Sequence, residues 1–137
     1  MKTLGDCYRQ AGLAVLYEGD TVPEKWTDVV LCHGYSTGTG GNVQGIRYGH
    51  AWVEGSCNGL DMALDARTGI VAFRAIYYMA GSIDGSKVRR YGCKETLGMV
   101  LLYEHWGPWD ESPTTELDRL AQEYHGVNFR EWAKGKS

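Results

Sequence analysis

The apolar positions of the chain form short runs whose period changes several times, and each change marks an element. Leu4, Tyr8, Ala11 with Gly12, and Val15 with Leu16 recur at helical spacing. They predict a helix over Asp6 to Glu18, with Asp6 able to cap its start and Gly19 to end it. A connection carrying Pro23 follows over Thr21 to Thr27. Val29, Val30 and Leu31 form a continuous apolar run, the pattern of a buried strand, leading into Cys32, His33 and Gly34. Glycines at 34, 38, 40, 41, 45 and 49 then stand among polar residues and predict a loop beside a site, with a short strand at Ile46 to Tyr48. His50 to Glu54 reads as a strand and Leu60 to Asp65 as its partner. Between them lies Asn58-Gly59, a two-residue hairpin signal.

Farther along, Val71 to Ala80 contains a helical piece around Arg74 to Tyr78, and Lys87 to Tyr91 reads as a strand. Lys94 to Glu104 is expected to be a helix with Leu97, Val100 and Leu101 inward, ending near Gly107-Pro108. A last helix is expected over Thr114 to Tyr124, with Trp132 as a packing anchor and Ala133 to Ser137 as a frayed tail. Repeats, low-complexity linkers and domain boundaries are not visible, so the expectation is one α+β domain over residues 1–137.

Composition narrows the functional classes. A chain of 137 residues is long enough for one real core. Its 43% hydrophobic and 23% charged residues are those of a globular protein and exclude a disordered one. The formal charge of -3 offers no basic face, so no nucleic-acid partner is expected. No run approaches the roughly 18 apolar residues of a membrane span. Met1 to Arg9 lacks the apolar run of a secretion signal, which makes the expected compartment cytoplasmic. In that compartment Cys7, Cys32, Cys57 and Cys93 are expected as thiols. Cys32 and His33 are adjacent and poorly placed to ligate together, and no second close pair completes a site, so no metal is expected. Glycine is abundant, at 19 residues, and Tyr and Trp number 9 and 5 beside 2 Phe. Glycine-rich turns with amphipathic aromatics suggest short strands around a site.

Cys7 is the first candidate for chemistry. It stands in the first turn of the predicted helix, where unpaired N–H groups and a partial positive charge favour thiolate over thiol. Cys93 also begins a predicted helix, and Cys57 lies in a predicted turn. His50 is the second candidate. In a strand, His50, Trp52 and Glu54 share one face and Ala51 and Val53 the other; the second pair suits a core, which leaves the first three toward a groove. The hairpin supplies the third. A two-residue turn at Asn58-Gly59 pairs residues whose numbers sum to 117, so Asp65 faces Trp52 and lies diagonal to His50. That is a Cα separation of roughly 7–8 Å, which side chains can bridge. Asp61 faces Ser56, about 20 Å along the strand from His50 at ~3.3 Å per residue. Asp65 is therefore the expected orienter of the histidine.

Gly5-Asp6-Cys7-Tyr8-Arg9-Gln10-Ala11 resembles the Gly-x-Cys-x-x-x-Ala helix start of the transglutaminase-like branch of the papain-like cysteine enzymes. Val29 to Tyr35 is similar to that family's strand before its glycine-rich loop. Gly49 to Glu54 resembles its histidine strand, and Leu64-Asp65-Ala66-Arg67-Thr68-Gly69 its Asp-Pro-Thr strand, with Ala66 where the family usually has Pro. The likeness covers roughly residues 4 to 72. It implies a papain-like core, a nucleophile helix packed on a small antiparallel sheet with helices added C-terminally. Cys7 would be nucleophile, His50 base and acid, and Asp65 orienter. Six residues precede Cys7, fewer than the upstream segment that often supplies a donor to the family's oxyanion hole. The expected donors are the Cys7 N–H and one of Gln44, Tyr35 or Trp52, with His33 as a further residue lining the site.

These readings point to a cysteine-dependent acyl-transfer enzyme without cofactor, acting on a peptide or protein substrate. Hydrolysis needs no second binding site, so a peptidase, amidase or deamidase is favoured over a transglutaminase. The alternatives are a non-catalytic binding or inhibitory module on the same fold, and ADP-ribosyl transfer through His33 and Tyr77-Tyr78 with a nicotinamide dinucleotide. His105 to Asp110 reads as a tight turn whose aromatics seal the core, or as a substrate wall. Tyr77, Tyr78 and Lys87 to Arg90 are expected in packing and on a solvated face.

Overall fold

The computed structural model describes residues 6–17, 21–37, 45 and 47–109. Helix α1 (Asp6–Leu16) precedes strands β1 (Thr27–Thr37), β2 (Arg47–Cys57), β3 (Leu60–Asp65) and β4 (Ile70–Phe73). Helix α2 (Arg74–Gly81), a single 3₁₀ turn (Gly85–Lys87), strand β5 (Arg89–Tyr91) and helix α3 (Cys93–Tyr103) complete the order. The strands form one antiparallel sheet in the order β4-β3-β2-β1-β5. The architecture is α+β. The expected helix over Thr114 to Tyr124, Trp132, the C-terminal tail and Gln44 lie outside the described residues.

Alternation along the strands builds two cores. Leu31, Ala51, Val53, Leu64 and Tyr91 point to one face, where Cys7, Tyr8, Ala11, Ala14 and Val15 of α1 and Met99 of α3 pack on them. Cys32, Trp52 and Ala63 point to the other, covered by Tyr77 and Tyr78 of α2 with Ile83 and Val88. The central strands are buried on both faces because helices cover both.

The β2–β3 hairpin has the expected turn. Asn58 and Gly59 both take positive φ, 53° and 82°, as a type I′ turn requires. Cys57 pairs with Leu60 and Val53 with Leu64, in the register deduced from the turn. Cys57 itself closes β2 and is not part of the turn.

Two expectations are corrected and one is extended. The stretch from Gly34 to Gly49 is not all loop: β1 runs on to Thr37, and Arg47 and Tyr48 of the expected short strand open β2, with Gly34 opposite His50 and Gly49 opposite Tyr35. Both glycines are there for close approach. A Cβ on Gly49 would strike the Tyr8 hydroxyl, and one on Gly34 would lie 2.9 Å from the Trp52 ring. Next, Val71 to Ala80 does contain the expected helical piece, α2, and its first residues belong to strand β4, which pairs with β3 from Asp65↔Ile70 to Met62↔Phe73. Last, α3 does not turn Leu97 and Leu101 inward; they are 47% and 69% exposed. Its buried side is Thr96 and Met99, with Val100 and Tyr103 packed against the core, a stripe one residue out of step with the leucines. The helix is apolar almost all round, so periodicity alone could not choose the face.

Candidate active site

His50 is the hub of a polar cluster at the junction of α1, β2, β3 and α2. Its position on β2 is set by the ladder to Gly34, and its ring stacks on Trp52 with centroids 5.7 Å apart. Trp52 is fully buried, and its Nε1 donates to Glu54 Oε2 at 2.9 Å. The triplet His50, Trp52 and Glu54 does share one face, yet that face is roofed by α2 and is no open groove. Trp52 is thus a platform for the histidine. With its single N–H engaged, it is removed from the expected oxyanion donors.

Asp65, the last residue of β3, lies where the register puts it. Its Oδ2 is 3.4 Å from His50 Nε2. Its Oδ1 accepts the backbone N–H groups of Arg67 and Thr68 at 3.1 and 3.2 Å, a turn that fixes the carboxylate before β4 begins. Asp61 instead pairs with Arg74 at 2.9 Å, at the exposed end of the hairpin.

Tyr77, assigned to packing from sequence, sits between the two. Its hydroxyl lies 2.8 Å from His50 Nε2 and 3.1 Å from Asp65 Oδ2. The phenol has one proton. When it donates to the carboxylate, the bond to the histidine must run from Nε2–H to the phenolic oxygen. Nε2 then carries a hydrogen and is engaged, which leaves Nδ1 to the fourth member. That member is Cys7, which reaches His50 with a side-chain hydrogen bond from the first turn of α1. Cys7 is 2% exposed.

The charges follow the geometry. Burial alone would pull the His50 imidazolium down, but the hydrogen bonds and charges of Asp65 and Cys7 outweigh it and push its pKa up to about 9. Burial likewise opposes the Asp65 carboxylate, and the facing histidine, with the turn and Tyr77, holds it down at about 2. Tyr77 is raised by burial and by the carboxylate beside it, so it stays a neutral donor. Cys32, buried beside Glu54, is pushed well up and stays a thiol. Cys93 is exposed at the start of α3.

His33 points to the opposite face of the sheet from Tyr77 and Tyr78. The structure therefore does not bring together the residues on which ADP-ribosyl transfer would rest. Its ring lies among Tyr8, Tyr91 and Trp109, with centroids 4.9, 5.0 and 4.9 Å away. Burial, aided by Arg89, pulls it down to about 3, so it is neutral. Tyr35 is exposed at the rim, with the Arg47 guanidinium 5.1 Å over its ring. The expected turn after α3 does seal the core: Trp109 Nε1 donates to the His105 carbonyl at 3.1 Å, and the Trp106 ring covers Gly12.

Glu54 anchors a second polar knot on the α2 face, accepting from Arg90 Nε at 3.2 Å and from the hydroxyl of Tyr78. Among the described residues, no group of three or more His, Cys, Asp or Glu side chains is arranged to hold a metal ion. Nor is any described helix long and apolar enough to cross a membrane. Comparison with protein-family models, curated proteins and solved structures returns no match for this chain.

Proposed function

We propose that the protein is a cysteine-dependent acyl-transfer enzyme of papain-like, transglutaminase-like design, acting as a hydrolase of amide or peptide bonds. One observation carries this reading: Cys7 at a helix start and Asp65 at a strand end both hydrogen-bond the one histidine, His50. A nucleophile, a base and an orienter in contact is the arrangement that thiol catalysis needs. The Cys7 sulfur attacks the carbonyl carbon. His50, held as imidazolium by its two neighbours, gives its Nδ1 proton to the leaving amine. Water then attacks the thioester, His50 takes the water's proton, the C–S bond breaks, and the acid is released with the starting Cys7–His50 pair restored. Asp65 and Tyr77 keep Nε2 occupied, so that Nδ1 alone faces the reaction. Cys7 stands in the first turn of α1, the end of a helix whose partial positive charge favours a developing oxyanion.

A binding module on the same fold is the second reading. It is favoured by the engagement of the Trp52 N–H with Glu54, which takes one of the expected oxyanion donors out of the site.

Reaction with p-nitrophenyl acetate separates the two. The enzyme reading expects a burst of p-nitrophenol with one acetyl group on Cys7, found by peptide mapping, and no burst in Cys7→Ser or His50→Ala. Acetylation confined to lysines, with no dependence on His50, contradicts it and leaves the binding module.

A further inference from the structure

Beside the cluster lies a cavity of about 650 Å³, within the usual size range of small-molecule sites. Two of its lining residues are chain neighbours of the reacting pair, Tyr8 after Cys7 and Gly49 before His50. The missing Gly49 side chain is what lets the Tyr8 hydroxyl lie against β2 there. The rings of Tyr8, His33, Tyr91 and Trp109 contribute flat, mostly uncharged surface. His33 adds a buried ring whose two nitrogens have no hydrogen-bond partner among the described residues.

Among the described residues, the charged groups lining the cavity are of one sign: Lys87 and Arg89 contribute to its wall, and no described Asp or Glu does. Arg89 donates to the Trp109 carbonyl at 3.2 Å, which ties the β5 wall to the aromatic one. Lys87 ends the 3₁₀ turn whose start is capped by Asp84, the carboxylate accepting Ser86 N and Oγ at 3.0 and 2.7 Å. That carboxylate feels Lys87 but does not line the cavity.

From this juxtaposition we infer that the cavity is the substrate subsite of the enzyme, and that it takes a flat or apolar group ending in a carboxylate. The inference rests on the acyl-transfer reading and names its substrate class: an amide with an acidic group close to the bond that is broken. A carboxylate between Lys87 and Arg89 would gain two cationic partners, while the rings hold the apolar part and orient the carbonyl toward Cys7. Either a side chain or a chain terminus supplies the acidic group.

Two thiol reagents of equal shape test this: N-(4-carboxyphenyl)iodoacetamide and its neutral 4-carboxamide. The rate at which each modifies Cys7 is followed by peptide mapping at low salt. His50 attracts any anion, so the informative quantity is the carboxylate-to-carboxamide rate ratio and its response to Lys87→Glu, a change at an exposed residue. The ratio is expected to fall by about three- to tenfold in the variant, the scale of a partly exposed ion pair. Competition with N-acetylglutamic acid α-amide or with N-acetylphenylalanine identifies the source of the acidic group; protection by either supports the subsite, and protection by neither overturns it. An unchanged ratio also overturns it, with Cys7 still reactive. A Cys7 that resists both reagents while Cys93 reacts overturns the acyl-transfer reading itself, and the inference with it.

Discussion

At the scale of single residues, the account depends on what holds the His50 ring. Asp65 was legible because Asn58-Gly59 permits one turn geometry, and that geometry dictates which carboxylate stands diagonal to the histidine. Replacing it by Asn is expected to lower turnover by on the order of a hundredfold or more, because the amide cannot favour the imidazolium. Asp61→Asn, which loses an exposed pair with Arg74, is expected to stay within about twofold. Tyr77 was not legible. It arrives on α2 only because Gly69, at φ 80°, turns the chain back through the short strand β4 and sets the helix over Asp65. Tyr77 is a positioning residue, and Tyr77→Phe is expected to lower kcat about tenfold, near the worth of one hydrogen bond, with KM kept. Because both act on Nε2, the double variant with Asp65→Asn is expected to lose less than the product of the two single losses. A loss confined to KM, or one that multiplies fully, contradicts the positioning role.

The elements show where hydrophobic pattern suffices and where it fails. Alternation and a turn dipeptide determined the hairpin, and the spacing of Tyr8, Ala11 and Val15 determined the inward side of α1. The pattern failed on α3, where leucines lie on the exposed side and the polar Thr96 is buried. It failed again from Gly34 onward: the end of β1 read as loop because glycines follow Leu31, although Gly34 and Gly49 make room for Trp52 and Tyr8. Both failures have one cause, that a neighbouring element decides which side is buried, and the local sequence does not record the neighbour. Thermal or urea unfolding checks the corrected face of α3. Met99→Ala is expected to cost about 2–5 kcal/mol, as a buried truncation does, while Leu101→Ser stays within about 0.5 kcal/mol. The opposite order would restore the leucine face.

For the whole molecule, the two buried histidines make stability depend on pH in opposite directions. The folded pKa of His50 is raised from 6.5 to about 9, so its contribution is complete below pH 6.5 and is lost as pH rises through 9. That of His33 is lowered from 6.5 to about 3, so below pH 6.5 the unfolded chain takes up the proton first and stability falls toward pH 3. Together they place a stability maximum near pH 6.5. In urea titrations, His50→Ala is expected to lose the decline between pH 6.5 and 9 and to keep the decline on the acid side. An alkaline decline that survives the substitution belongs to other groups. The central claim, a thiol activated by His50, is tested most directly by iodoacetamide at pH 6 with peptide mapping. Access alone favours Cys93, which is exposed, over Cys7, which is 2% exposed. The account predicts the reverse order, Cys7 modified first, with its rate falling at least about tenfold in His50→Ala as the imidazolium is lost. Modification of Cys93 first, with a Cys7 rate indifferent to His50, would contradict it.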